Sequence, residues 1–282
     1  MLTYYELRPS AVLAPYVRAY RVLVGTAPAG QSIVVPYFPD GGLEITLNYG
    51  SALGRGRNFD SATQVDSAFA ACSGVMLHTQ MVGLSGALDV LNIQLHVNGG
   101  VALFGSGAGS LRDAHTPLNA LWPPDVLRRM EDWGKLPPLE RIAPLECLLS
   151  TRLAAHTPDP LMRQVFKVFH AAHGQGRITS LLDRLPISDR TLGRLFQQQV
   201  GISPKRYLRV MRFHETLKRL RSGSASWADT ALAMGYYDQA HMDHELVALA
   251  GLSARKLLMV ETFGAFVQTS GGFLQDTPPE SA

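Results

Sequence analysis

The stretch I-T-S-L-L-D-R-L-P-I-S-D-R-T-L-G-R-L-F-Q-Q-Q-V-G, residues 178–201, decides how the second half of the chain folds. Its apolar residues recur every three or four positions on both sides of Pro186, which is the spacing of two amphipathic helices. Ser188 stands where its hydroxyl can accept a hydrogen bond from an unpaired backbone N–H of the second helix. Gly201 follows that helix, as a left-handed cap commonly does. The stretch therefore predicts a helix-turn-helix unit.

A second copy of this arrangement spans 226–251. Ser226, with an acid three residues later, resembles a capping box, and Gly235 supplies the turn. Asp238 can cap the next helix, and Gly251 can end it.

A basic helix is predicted between the copies, over 204–222. It carries one acid, Glu215, against seven cations: Lys205, Arg206, Arg209, Arg212, Lys218, Arg219 and Arg221. Such a helix can hold two recognition helices on one face of a duplex, about one turn or about 34 Å apart. One helix-turn-helix pattern alone fits a generic helical bundle equally well, whereas two copies with a basic connector favour DNA binding.

The side chains predicted to face outward fall into two groups, those that suit DNA bases and those that suit phosphates. Arginine and glutamine can read guanine and adenine through paired hydrogen bonds in the major groove, and cations bind phosphates. The predicted base contacts are Arg190, Thr191, Arg194, Gln198, Gln239 and His241. The predicted phosphate contacts are Ser188, Lys205, Arg206, Arg209 and Arg212.

Composition agrees with a two-domain protein. The chain has 282 residues, of which 46% are hydrophobic, enough for a sizeable core. Residues 160–265 hold 15 Lys and Arg against 8 Asp and Glu, and the remainder holds 11 against 15. A basic C-terminal region behind a mildly acidic one is typical of a nucleic-acid-binding module joined to another domain.

The two cysteines, Cys72 and Cys147, form no disulfide framework or metal-binding pair, which favours a reducing compartment. The N-terminus lacks the basic and apolar segments of a signal peptide, and no apolar run is long enough for a bilayer. We therefore expect a cytoplasmic protein with no membrane partner.

Residues 1–115 predict a β-rich domain, because short apolar runs alternate with turn residues. The runs lie at 32–38, 43–47, 74–82, 89–96 and 101–104. Many short strands without intervening helices predict an antiparallel barrel or sandwich. Residues 51–70 show little periodicity and predict a long mobile loop. The fold class expected is α+β multidomain.

A helical linker is predicted over 116–160, with helices at 125–133 and 139–155 that follow proline pairs. The second helix has a leucine stripe, which fits packing inside the protein or a dimer contact. An all-α domain is expected over 161–266, followed by a disordered tail over 267–282.

The stretches S-D-R-T-L-G-R-L-F-Q-Q-Q-V-G-I-S-P-K-R-Y-L-R-V-M-R at 188–212 and W-A-D-T-A-L-A-M-G-Y-Y-D-Q-A-H-M at 227–242 resemble the AraC/XylS-type DNA-binding domain. The resemblance covers about 95 residues, 170–265. It implies two helix-turn-helix subdomains in adjacent major grooves, and a partner domain that commonly senses a small molecule or mediates dimerisation.

The chain departs from that family in its second copy. Thr230, Met242, His244 and Ala254 stand where the family usually has Ile, Phe, Arg and Pro. Asp243 and Glu245 would repel phosphate if they faced it. We therefore expect the first copy to dominate specificity.

The N-terminal part resembles the cupin-like domain that precedes this DNA-binding domain in some regulators. The residues that carry the resemblance are L-A-P-Y-V-R-A-Y at 13–20, V-P-Y-F-P-D-G-G-L-E-I-T-L-N-Y-G at 35–50 and I-Q-L-H-V-N-G-G-V-A-L-F-G at 93–105. The histidines of a cupin metal site are incomplete here, because H-T-Q and H-V-N stand at His78 and His96. We expect no metal and no cofactor. Glu44 fits either a ligand-binding carboxylate or a solvent-facing strand residue, and with His78 and His96 it forms the candidate effector pocket.

No nucleophile elbow or phosphate loop occurs, so an enzyme is not expected. The partners expected are double-stranded promoter DNA, an unknown small-molecule effector, a second copy of the chain and RNA polymerase. The predicted function is a sequence-specific transcription regulator, controlled by an effector or by dimerisation through the N-terminal domain.

Overall fold

A computed structural model describes residues 2–29, 33–56, 64–66, 68–154, 159–176, 178–183, 185–223 and 225–259. The predicted tail at 267–282 lies outside these residues, as does the part of the predicted 51–70 loop at 57–63. The described residues of that loop include strands at 53–56 and 64–66, so the prediction of a loop over the whole of 51–70 was wrong there.

The described residues of the N-terminal part form ten strands in two antiparallel sheets. The strands are β1 Leu2–Leu7, β2 Val17–Thr26, β3 Ile33–Tyr37, β4 Leu43–Asn48, β5 Leu53–Gly56, β6 Gln64–Asp66, β7 Ala70–Ser73, β8 Gln80–Leu84, β9 Ala87–Leu95 and β10 His115–Pro117. One sheet has the order β1-β2-β9-β4-β7-β10 and the other β3-β8-β5-β6. The β-rich prediction is confirmed. No pairing among the described strands joins the sheets, so the closed barrel stays a prediction.

Two strand predictions were wrong. Residues 101–104 belong to helix α1, Val97–Phe104, because a short buried apolar run has no periodicity that separates helix from strand. The predicted run 74–82 contains the turn between β7 and β8, and only its last residues enter β8. The prediction also missed β1 and β2.

The linker contains two helices, α2 Pro124–Asp132 and α3 Ile142–Ala154. Leu145 and Leu149 of α3 are fully buried, so this part of the leucine stripe packs inside the chain, whereas Leu139 is exposed. Arg141 precedes α3 and binds both carboxylate oxygens of Asp89 on β9, at 2.6 and 2.9 Å. The linker is thus fixed to the larger sheet.

The C-terminal part is all helical, as predicted. Its helices are α4 Pro160–Ala171, α5 Ile178–Leu182, α6 Asp189–Gln199, α7 Pro204–Ser222, α8 Trp227–Ala233, α9 Gln239–Ala250 and α10 Ala254–Met259. The pair α5–α6 forms the first unit, α8–α9 forms the second, and α7 connects them. Helix α7 has 19 residues, which corresponds to about 28 Å.

Three hydrophobic clusters hold these parts together. The first runs without a break from the larger sheet through the linker to Phe196 and Tyr207, across the predicted boundaries near 115 and 160. The second belongs to the second unit and includes Phe213 and Leu246. The third fills one end of the space between the two sheets. Among the described residues, no helix has both the length and the apolarity to cross a membrane.

Candidate nucleic-acid interface

Helix α6 begins where the sequence predicts. The Ser188 hydroxyl accepts from the Thr191 backbone N–H at 3.3 Å and lies 2.9 Å from the Thr191 hydroxyl. Leu192 and Phe196 are fully buried on the inner face. The opposite face of α6 is thereby fixed toward solvent.

That face carries the predicted base contacts of the first unit. Arg190, Arg194 and Gln198 are exposed, and Thr191 is half-buried at the cap. The Arg194 guanidinium donates to the Gln198 side-chain oxygen at 3.4 Å. These two side chains, one helical turn apart, are thus linked to each other and form a continuous row of hydrogen-bond donors and acceptors.

The start of α7 adds two exposed cations beside α6. Ser203 caps this helix by accepting from the Arg206 backbone N–H at 3.3 Å, and the first turn contains Lys205 and Arg206 but no acid. Cations at a helix N-terminus oppose the helix dipole, so this placement costs some helix stability. An anion bound at this turn would offset that cost.

The next two arginines of α7 contact protein groups. Arg209 donates to both oxygens of Glu245 on α9, at 2.8 and 3.1 Å. The Arg212 guanidinium lies over the Tyr236 ring, 5.4 Å from its centroid. Both side chains therefore tie α7 to the second unit.

Helix α9 begins at a cap that also orients a predicted base contact. Asp238 accepts from the His241 backbone N–H at 2.7 Å. The Nδ1 atom of His241 accepts from the Tyr237 backbone N–H at 3.2 Å, and its ring packs edge-on against Tyr236. The imidazole is held in place, and Gln239 is exposed beside it.

The two acids of α9 do not point freely to solvent. Asp243 accepts from the Ala254 backbone N–H at 2.7 Å and so supports the start of α10. Glu245 is paired with Arg209. The repulsion of phosphate that the sequence suggested is therefore reduced at Glu245, because Arg209 offsets its charge.

One exposed aromatic residue at this surface was missed by the sequence analysis. Tyr237 is 86% exposed directly before α9, whereas its neighbour Tyr236 is buried. Adjacent aromatics at a helix-turn-helix turn are the signal that could have found it, since only one of them can enter the core.

The candidate effector residues do not come together. Glu44 lines a cavity between the two sheets, where burial raises its pKa despite the nearby Tyr37 hydroxyl and Arg21. His78 is exposed on the turn before β8, and His96 lies at the start of α1, with its ring 6.0 Å from that of His170. The prediction of one pocket with all three residues was wrong, because a strand, a turn and a helix start place them in different parts of the domain. Within the described residues, no cluster of metal-binding side chains occurs.

The N-terminal part contacts both helix-turn-helix units. Gly109, in the 3-10 segment Gly105–Leu111, packs on the carbonyls of Gln197 and Gln198 at the end of α6. The Arg112 guanidinium donates to the Gly201 carbonyl at 2.9 Å. At the second unit, the Thr79 backbone N–H donates to the Leu249 carbonyl at 3.3 Å. The N-terminal part thus bridges the two units.

Comparison with known families gives a match for each part. Residues 181–259 match a helix-turn-helix domain model, and residues 5–117 match a domain of unknown function, DUF6597. The transcriptional activator RhaS of Escherichia coli is 37% identical over 62 residues. That match covers 22% of this chain and 22% of RhaS, so the chain spans about a fifth of the curated relatives it matches.

Solved structures with similarity over most of the chain include ToxT from Vibrio cholerae and the AraC-like transcriptional activator CuxR. The ToxT structure has a TM-score of 0.46 at 10% identity, covering 82% of this chain and 98% of ToxT. The CuxR structure has a TM-score of 0.25 at 14% identity, covering 80% of this chain and 96% of CuxR.

Proposed function

We propose that this chain, an AraC/XylS-type transcription regulator by its two helix-turn-helix units, reads promoter DNA mainly with the first unit and is controlled by its N-terminal domain. The observation that carries the DNA contact is the exposed row on α6 beside the cationic first turn of α7. Arg194 and Gln198 suit base edges, and Lys205 and Arg206 suit the adjacent phosphates.

In this proposal the first unit supplies most of the base readout. Its base contacts are Arg190, Thr191, Arg194 and Gln198, with Ser188, Lys205 and Arg206 on phosphate. The second unit adds Gln239 and His241. Arg209 and Arg212 also remain proposed phosphate contacts. Each guanidinium already contacts a protein group, so it would have to bind phosphate and that group together.

Control by the N-terminal domain is proposed from its contacts with both units. The Gly109 contact fixes the end of α6, and the Thr79 contact fixes the end of α9. A ligand that shifts the sheets relative to these contacts would change the spacing of the two recognition helices. Because binding to adjacent grooves requires a defined spacing, such a shift would alter affinity for the promoter.

Two further partners belong to this proposal. A second copy of the chain would bind a second half-site, and RNA polymerase would be contacted from the promoter. A protein with these partners acts in the cytoplasm.

Gel retardation with genomic fragments over a series of salt concentrations tests the DNA contact. Neutralising a phosphate contact with Lys205→Ala should make the slope of log K against log salt shallower by about 0.9, whereas Lys135→Ala on the linker should not change it. If no fragment is retarded even at low salt, the proposal is contradicted.

Two matched variants test base readout, each measured on a genomic fragment that the protein binds. We expect Arg194→Ala to weaken binding by about 1–3 kcal/mol, and His241→Ala to weaken it less. The exposed linker variant Arg129→Ala is the control. An equal or larger loss from His241→Ala would show that the second unit dominates specificity.

A further inference from the structure

The cavity between the two sheets is polar at one end, although facing sheets normally enclose apolar side chains. Its polar side chains come from neighbouring strands. Asn92 lies opposite Arg21 and Thr46 in the β2-β9-β4 ladder, and Glu44 lies opposite Ser73. All five line the same cavity. The polar end of the cavity is therefore formed by the pairing of four strands.

Two oxygen atoms in this cavity lack partners. Thr46 donates to Oε1 of Glu44 at 3.3 Å. The Tyr37 hydroxyl, which also lines the cavity, lies near the Glu44 carboxylate and lowers its pKa against the effect of burial. No hydrogen bond of ordinary geometry reaches Oε2 of Glu44 or Oδ1 of Asn92 from any described residue. Glu44 is only 7% exposed, so water cannot readily satisfy it. An unsatisfied buried acceptor destabilises the fold, so both atoms favour a ligand that donates hydrogen bonds.

The charges around the cavity favour a cation. The Arg21 guanidinium is paired with Glu6 at 2.8 Å, and that of Arg55 with Asp66 at 2.8 Å. Each lining arginine is thus paired with a carboxylate, and both still lower the pKa of Glu44 against the effect of burial. Glu44 has no cationic side chain within ion-pair distance among the described residues, which leaves it as the charge that a ligand can neutralise.

The opposite end of the cavity is apolar and small. Leu53, Leu84 and Val90 line it and belong to the third hydrophobic cluster. The cavity measures about 50 Å³, which holds roughly four water molecules. A ligand of a few non-hydrogen atoms with one apolar end and one donating end fits these limits.

We propose that this cavity binds a compact primary amine, with its ammonium group at Glu44 and Asn92 and its carbon skeleton toward Leu53 and Leu84. An ammonium group has three donors and no acceptor, which matches a site with unpaired acceptors. The proposal names the class of effector for the N-terminal control proposed above and rests on it.

Amine binding also has a proton signature. Because burial raises the pKa of Glu44, its carboxyl group keeps a proton up to a higher pH in the empty cavity than it would in water. The bound ammonium favours the ionised carboxylate, so a proton leaves Glu44 for solvent while the amine keeps its own. The measured heat of binding should then depend on the ionisation enthalpy of the buffer.

The test uses the full chain and three probes with similar carbon skeletons: isobutylamine, isobutanol and isobutyrate. Calorimetry and thermal unfolding should show that isobutylamine binds and raises Tm, with proton release. Glu44→Gln should weaken the amine at least tenfold, and the exposed variant Glu140→Gln should not. If Glu44→Gln does not fold, Leu53→Phe, which fills the apolar end, should abolish amine binding instead.

Stronger binding of isobutanol or isobutyrate, amine binding that Glu44→Gln leaves unchanged, or no binding by any probe would each overturn the proposal. Gel retardation with the same preparations, without probe, reports separately on DNA binding. A failure of the amine site is therefore distinguishable from a failure of the proposed function.

Discussion

The contacts of two acidic residues decide how much negative charge the second recognition helix, α9, exposes. Asp243 and Glu245 make α9 look unsuited to DNA when the sequence is read alone. Asp243 instead accepts from a backbone N–H at the start of α10, and Glu245 binds Arg209 through two hydrogen bonds. The Glu245–Arg209 pair repels phosphate less than a free carboxylate does, because its two opposite charges largely cancel at a distance. The charge of Asp243 is not cancelled, because its partner is a neutral backbone N–H. The second unit is thus closer to a DNA-binding surface than its composition indicates.

A histidine at the junction of the two parts should make stability depend on pH. Burial, Arg18 and the neighbouring His170 lower the pKa of His96 to about 4 from its ordinary 6.5, while Asp40 opposes the shift. Arg163 and Lys167 of α4 line the same cleft. Between these pH values the unfolded chain binds more protons than the folded one. Stability should therefore be full above about pH 6.5 and fall as the pH drops toward about 4.

Urea unfolding at about pH 7.5 and about pH 5 measures this effect. The variant His96→Gln should lose less stability on acidification than the wild type does. His78→Gln, which changes an exposed imidazole outside the His96–His170 cleft, is the control. An acid-induced loss in His96→Gln equal to that of the wild type would assign the pH dependence to other groups.

At the scale of elements, the contact between the 3-10 segment Gly105–Leu111 and α6 depends on two glycines. A Cβ on Gly109 would overlap the carbonyl oxygens of Gln197 and Gln198, and Gly201 faces the Gly109 carbonyl with a φ of +80°. The backbones approach too closely for side chains at either position. We expect Gly109→Ala to separate the segment from α6, lower Tm and change DNA affinity.

The same segment supplies a matched control. A Cβ on Gly107 would meet no atom within 4 Å, so Gly107→Ala should leave both Tm and DNA affinity near wild type. Thermal unfolding and gel retardation of the two variants give the comparison. Equal behaviour of the two variants would mean that the contact does not couple the domains.

The elements that could be predicted from sequence are those with local signals. Both helix-turn-helix units follow from caps such as Ser188 and Asp238, whose partners lie three residues away. The helix over 101–104 could not be recognised, because four apolar residues have no measurable period. The partner of Glu245 and the cavity around Glu44 could not be predicted either. Arg209 lies 36 residues from Glu245, and the cavity combines strands distant in sequence.

At the scale of the whole molecule, the two DNA-binding units differ in how they join the rest. The first unit shares its core with the linker and the larger sheet, whereas the second has a separate cluster. Helix α7 passes from one to the other: Tyr207 and Leu208 belong to the first cluster, and Val210 and Phe213 to the second. We therefore expect the second unit to unfold locally while the remainder stays folded.

Hydrogen exchange of two core variants tests this division. Leu246 and Phe196 are both fully buried, and truncation should cost about 2–5 kcal/mol at the first and about 3–5 kcal/mol at the second. Leu246→Ala should remove protection from α8 to α10 and from the C-terminal half of α7, and leave α6 and the sheets protected. Phe196→Ala should reduce protection in α4, α6 and the larger sheet together, because these elements share one core. If Leu246→Ala lowered protection across the sheets as well, the molecule would unfold as one unit, and the second recognition helix could not move independently of the first.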